Sequence, residues 1–196
     1  AVRMPSHKVA RALICYGGRY VAAPSANTSG RPSPTLAEHV IEDLNGKVDM
    51  ILDGGEVGIG LESTIVDFTE KIPVILRPGY INQKMIAEVI GEVRMDKGLL
   101  ITDASVRPKA PGMKYRHYAP KGQLTLVEGD KDKVIAKINE LVREKKEEGY
   151  KVGVIGTDET LDAYHADILR SIGNRQKPES VAANLYRILR EFDDLE

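Results

Sequence analysis

Pro24-Ser25-Ala26-Asn27-Thr28-Ser29-Gly30-Arg31-Pro32-Ser33-Pro34 decides how this chain is read. Five Ser, Thr or Asn side chains, a Gly, an Arg and three Pro in eleven residues cannot form a packed helix or a regular strand. The stretch follows the apolar run 20–23 and precedes a helical pattern over 35–44. A strand, a rigid polar loop and a helix N-terminus in that order is where open α/β folds place anion sites. Hydroxyls at Ser25, Thr28, Ser29 and Ser33, free backbone N–H groups and the charge of Arg31 suit phosphate oxygens. An ordinary turn-rich connector has the same composition, so both readings stand at this point.

Working outward, 6–16 predicts a helix with Ser6 as N-cap and Gly17-Gly18 as its end. Strands are expected at 20–23, 50–52, 63–68 and 74–76. Helices are expected at 35–44 and 82–91. The first is capped by Thr35 with Glu38 in a capping-box spacing, or by Ser33 ahead of Pro34. Asp53-Gly54-Gly55 reads as a turn, and Gly58 and Gly60 keep the next loop flexible or allow close backbone approach. From 97 to 121 periodicity fades among Pro108, Pro111, Gly112 and Pro120, which reads as a long linker. A fresh alternation follows: strand 124–127, helix 131–148, strand 151–156 and a further strand at 167–172, a parallel βαβ pattern. Gly153 and Gly156 lack the dinucleotide spacing, and close helix–strand packing accounts for them better.

Composition narrows the classes. Among 196 residues, hydrophobic content of 42% and charged content of 29% belong to a globular protein, and a net charge of −1 advertises no basic field for nucleic acid. Cys15 is the single cysteine, which excludes an internal disulfide framework and a cysteine-based zinc site, and its helical neighbours make it a small core residue. No apolar run approaches the ~20 residues of a membrane helix, so no membrane contact and a cytoplasmic location are expected. His7 and His39 read as helix-surface residues, His165 as a loop or strand-edge residue, and no pair has metal-ligand spacing, so no metal site is expected. Asp193-Asp194 and the charge run 143–148 read as solvated faces. Both ends read as cut, since 1–5 looks like the last part of a strand and the helical pattern of Val181, Leu185, Ile188, Leu189 and Phe192 stops without a cap.

Three further polar clusters join the loop. Gly60-Leu61-Glu62-Ser63-Thr64 puts hydroxyls at a strand entrance. Leu76-Arg77-Pro78-Gly79 aims an Arg from a strand end, for a phosphate or carboxylate or for a surface ion pair. Lys114-Tyr115-Arg116-His117-Tyr118 is too aromatic for a solvated tether and reads as a linker that docks, with His117 a candidate general base.

The order Arg3, 22–34, Asp53-Gly54-Gly55, 60–66, 75–79 and 110–120 resembles the YrdC-like L-threonylcarbamoyladenylate synthases in their longer two-domain form. The resemblance implies an α/β fold: the C-terminal portion of a twisted mixed-sheet catalytic domain over 1–96, a linker or active-site lid over 97–122, and a small Rossmann-like accessory domain over 123–196. It implies a nucleotidyltransferase that uses L-threonine, bicarbonate or CO2, and ATP, with Mg2+ accompanying the ATP. The products are threonylcarbamoyl-AMP and pyrophosphate, which a tRNA-threonylcarbamoyl transferase partner uses to modify tRNA beside the anticodon.

By motif match, Arg3, the Ala23 backbone and Ser63 hold L-threonine. Ser25, Asn27, Ser33 and Arg77 hold the nucleotide, with Tyr115, His117 and Tyr118 as its lid. Arg3 and Ser25 act by positioning, and no residue is assigned as catalytic. The family's amino-terminal Thr and its Lys/Arg cluster on the ATP phosphates have no counterpart here, so the chain by itself is expected to be inactive. A carbamoyl-adenylating relative and an RNA-binding module contacting double-stranded RNA or tRNA are the alternatives.

Overall fold

The computed structural model describes residues 2–18, 20–99 and 120–195. Strands β1 (Ile65–Asp67) and β2 (Val74–Arg77) pair antiparallel, with Ile65 opposite Arg77 and a register shift between Ile65 and Val66. β3 (Arg94–Met95) joins the other side of β2 in parallel, giving the order β1-β2-β3. A parallel neighbour needs a crossover, and helix α3 (Gln83–Ile90) supplies it. Asn82 caps α3 by accepting the Met85 N–H at 3.0 Å, and Gly91 ends it at φ +83°. Ile75, Leu76 and Val93 form the buried heart of this sheet.

The second half of the chain holds helix α4 (Lys131–Glu147), the parallel pair β4 (Gly153–Gly156) and β5 (Ile168–Ser171), and helix α5 (Pro178–Asp193). α4 starts at Asp130, which accepts from the Asp132 N–H, and ends with Lys145 and Lys146, matching the helix dipole at both ends. Val142 of α4 packs with Val154 and Tyr164 in a small core that Ile135, Ile138, Val152 and Leu169 extend. Gly153 and Gly156 are packing glycines: Phe192 covers one and Tyr164 the other, where a Cβ would collide. α5 opens on Pro178 at its first position and buries Tyr186, Ile188, Leu189, Arg190 and Asp193.

Several sequence expectations give way here. The segments 20–23, 50–52 and 124–127 have strand-like patterns but join no ladder among the described residues. A strand needs a hydrogen-bonding neighbour, and Tyr20, Met50 and Leu126 stand exposed. Without a strand at 124–127 the expected βαβ unit around α4 lacks its first strand, and the parallel pair present is β4 and β5, joined through a short 3-10 turn at Leu161–Ala163. Helix α1 (Lys8–Tyr16) starts after His7, with no side-chain cap, so Ser6 is not its N-cap. Cys15 is exposed, because α1 buries none of its residues among the described parts of the chain. Helix α2 (Ala37–Leu44) has Leu36 at its N-cap position and no side-chain cap, so neither proposed capping residue serves.

Gly60 ties the halves together. It adopts φ +76°, and a Cβ there would lie 2.5 Å from Ala183 Cα and from the Ala182 carbonyl of α5. Gly46 has a similar φ of +72° but open space around it. Gly46→Ala should cost about 1–3 kcal/mol from backbone strain alone, whereas Gly60→Ala should add about 1–3 kcal/mol of overpacking. Urea unfolding midpoints of the two variants check this, and equal losses would show that α5 does not press on Gly60.

Candidate functional site

The polar loop 24–34 is fixed from beneath by Asp43, near the end of α2. Asp43 Oδ2 accepts the Thr28 N–H at 3.1 Å, and Oδ1 takes Arg31 Nη1 at 2.6 Å. Arg190 of α5, with a side chain only 1% exposed, donates through Nε and Nη2 to the Pro32 carbonyl at 3.1 and 2.7 Å. The same Nη2 lies 2.8 Å from Asp43 Oδ2. Glu42 completes a set of two guanidiniums and two carboxylates, at 3.3 Å from Arg31 and 3.6 Å from Arg190. Burial by itself would raise the Asp43 carboxyl, but the hydrogen bonds from Arg190 and Thr28 outweigh it and hold it below the ordinary value.

A second carboxylate joins the loop to the strand entrance. Ser33 Oγ donates to Glu62 Oε1 at 2.8 Å, and the Tyr186 hydroxyl of α5 donates to Glu62 Oε2 at 2.7 Å. Next to it, Arg77 donates twice to the Ser63 carbonyl, at 3.1 and 2.9 Å. The Pro78-Gly79 turn lies so close that a Cβ on Gly79 would sit 2.5 Å from the Glu62 carbonyl. Clusters 24–34, 60–64 and 76–79 thus form one polar surface over the end of β2. Ala23, Ser25 and Ser63 are exposed on it, and Arg3 is exposed on its own segment.

Residues 1–79 match a family described as "Telomere recombination", and 81–196 match one described as "Threonylcarbamoyl-AMP synthase, C-terminal domain". The chain belongs to the Sua5/YrdC family of threonylcarbamoyl-AMP synthases. It is 48% identical over 194 residues to the threonylcarbamoyl-AMP synthase of Bacillus subtilis, covering 99% of this chain and 54% of that one. The Pyrococcus abyssi synthase is 50% identical over 98% of this chain and 55% of its own length. The solved structure of P. abyssi Sua5 complexed with L-threonine superposes at a TM-score of 0.86, at 47% identity, covering 98% of this chain and 54% of that one. The chain spans about half the length of the curated relatives it matches.

For this family member the structure places Ser25, Asn27 and Ser33 on one loop, Ser63 on the next and Arg77 at the end of β2 beside it, while Tyr115, His117 and Tyr118 lie outside the described residues. Three side chains are occupied within the fold. Arg31 is spent on Asp43 and Glu42, so the cation that the loop's composition offered to an anion is an internal brace. Asn27 Nδ2 donates to the Thr28 and Arg31 carbonyls at 3.0 and 3.2 Å, which closes the turn. The Ser33 hydrogen goes to Glu62.

Asp43, Glu62, Tyr186 and Arg190 were missed by sequence reasoning. For Asp43, Tyr186 and Arg190 the one local signal was a charged or polar residue on the apolar face of α2 or α5, and for Glu62 it was membership of the polar cluster 60–64. Asp193, expected to be solvated, is buried and accepts the Lys121 N–H at 2.8 Å.

His39 is likewise buried, not on a helix surface. Its Nδ1 accepts the Thr35 N–H at 3.1 Å, doing for α2 what a side-chain cap would do. Burial first, and then the nearby Arg190 charge, push the imidazole below its usual value of 6.5. The unfolded chain therefore takes up the proton first, and stability present above pH 6.5 should fall as pH drops through the range below it. Asp43 adds a second loss below 3.8, where the unfolded carboxylate protonates before the folded one. Thermal unfolding between pH 7.5 and 5.5 should show the first loss, and His39→Asn, which keeps an acceptor near Nδ1, should flatten it. An unchanged pH slope in that variant would remove His39 as the cause.

Proposed function

We propose that the protein containing this chain makes threonylcarbamoyl-AMP and pyrophosphate from L-threonine, bicarbonate or CO2, and ATP. The observation that carries this reading is the correspondence along 98% of the chain with a solved Sua5 structure holding L-threonine. In this reading the threonine amine is carboxylated to a carbamate. A carbamate oxygen attacks the α-phosphorus, the bond to the β-phosphate oxygen breaks, and pyrophosphate leaves. Little covalent chemistry falls to the protein, so positioning and charge neutralisation do most of the work.

Arg3 pairs the threonine carboxylate, with the Ala23 backbone and the Ser63 side chain beside it. Ser25 and the backbone N–H groups of the loop take the nucleotide phosphates. Asn27 and Ser33 hold the loop in shape, since their donors are already engaged inside it. Arg77 draws the Ser63 carbonyl toward the nucleotide side, which links the two substrate subsites. Mg2+ arrives on the triphosphate: it keeps water and phosphate ligands and needs few protein carboxylates. Among the described residues no group of three or more His, Cys, Asp or Glu could hold a metal ion.

The reading extends to the whole architecture. Residues 1–96 serve as part of the catalytic domain, 97–122 as a lid that keeps water from two hydrolysable species, and 123–196 as a Rossmann-like accessory domain. A tRNA-threonylcarbamoyl transferase consumes the product to modify tRNA, and the reaction takes place in the cytoplasm. Among the described residues no helix is long and apolar enough to cross a membrane.

In the complete gene product containing this chain, pyrophosphate release should require threonine, bicarbonate and ATP together. Arg3→Ala should raise KM for threonine about 10- to 100-fold, the worth of a charge-assisted hydrogen bond of about 1.5–3 kcal/mol, and leave KM for ATP near its original value. Release of pyrophosphate without threonine would overturn the reading.

A further inference from the structure

We infer that α5, acting through Arg190, sets the shape of the nucleotide loop, so that a residue in the accessory half of the chain governs ATP binding; this rests on the proposed function. Arg190 fixes the Pro32 carbonyl by two donors, and its partner Asp43 fixes the Thr28 N–H. These anchors stand on either side of Gly30, whose φ of +92° marks the sharp bend in the loop. The bend determines which backbone N–H groups, and which face of Ser25, point outward.

Within the loop the Arg31 N–H closes the bend on the Thr28 carbonyl at 3.2 Å; what ties the bend to the rest of the fold is the Arg190–Asp43 pair. Pro32 has no N–H, so its carbonyl is the polar backbone group it can offer, and Arg190 takes it. Asn27 closes the turn from inside but reaches only the loop's own carbonyls. Arg31 reaches the same Asp43 from the loop side, and its own position depends on Asp43 staying in place. Asp43 stays ionised while buried because Arg190, Arg31 and the Thr28 N–H all face it, so removing Arg190 takes away one of its two cations and leaves Arg31 as the other.

One turn before Arg190 on the same face of α5, Tyr186 holds Glu62 and through it Ser33, at the loop's far end. Two residues of one helix therefore set both the bend and the exit of the loop. The Arg190 side chain is only 1% exposed and is turned to Pro32 and Asp43, so it is a positioning residue.

The test uses the complete gene product with three sets of substitutions. Arg190→Met should raise KM for ATP about tenfold or more while KM for threonine changes less than twofold, because Arg3 and Ser63 lie off the braced segment. Val142→Ala loosens the α4–β4 core without touching the loop, and should lower thermal stability while leaving KM for ATP unchanged. The pair Asp43→Leu with Arg190→Met replaces the buried ions by apolar groups, which commonly restores stability; KM for ATP should stay raised because the backbone anchors are still absent.

An Arg190→Met protein whose KM for ATP moves no more than that of Val142→Ala would overturn the inference. So would recovery of that KM in the apolar pair. If the unsubstituted protein released no threonine-dependent pyrophosphate, the proposed function would fall first and this inference with it.

Discussion

The buried pair of Asp43 and Arg190 is the constraint on which the rest of the arrangement depends. Two opposite charges out of water are costly unless every polar atom around them is used. Here much of the hydrogen-bonding capacity goes to backbone: Asp43 accepts the Thr28 N–H and Arg190 donates to the Pro32 carbonyl, while Arg190 Nη1 makes no hydrogen bond and meets the Glu42 charge at 3.6 Å. A loop rich in Pro and Gly has few internal hydrogen bonds of its own, so these external anchors decide its conformation. The ions are therefore useful less as a source of stability than as a means of choosing one loop geometry among many.

The same helix that carries Arg190 reaches the other polar segments. Tyr186 meets Glu62, the Ala182–Ala183 backbone presses on Gly60, and Asp193 accepts from the Lys121 N–H. Each contact is short and specific, and each lands next to a segment that the family resemblance marks as functional. A helix in a region matched to the C-terminal domain of the family is thus part of how the amino-terminal region's site is shaped.

Reading the sequence found the polar loops and most helices because their signals are local. Proline and glycine spacing marked 24–34, apolar periodicity marked α3, α4 and α5, and β-branched runs marked β1, β2 and β4. Strand expectations at 20–23, 50–52 and 124–127 failed for a physical reason: pattern reports a preference for extended backbone, but a strand exists only with a partner. His39 and Asp193 were misread for a related reason. A polar residue on a helix is assigned to solvent unless its burial is known: Asp193's partner Lys121 lies 72 residues away, and His39's partner Thr35, although only four positions away, matters because packing buries the pair.

By itself the sequence determined where the polar loops begin and end, which stretches are helical, and which family the ordered motifs resemble. Tertiary structure alone decided which side chains of those loops face outward and which are consumed inside. Arg31 looked like a ligand-binding cation and is an internal brace, because the carboxylates it meets come from α2. Arg190 looked like one more charge on an amphipathic helix and holds the loop from 158 residues away. Local periodicity encodes neighbours three or four positions apart, and nothing in it records a contact across that distance.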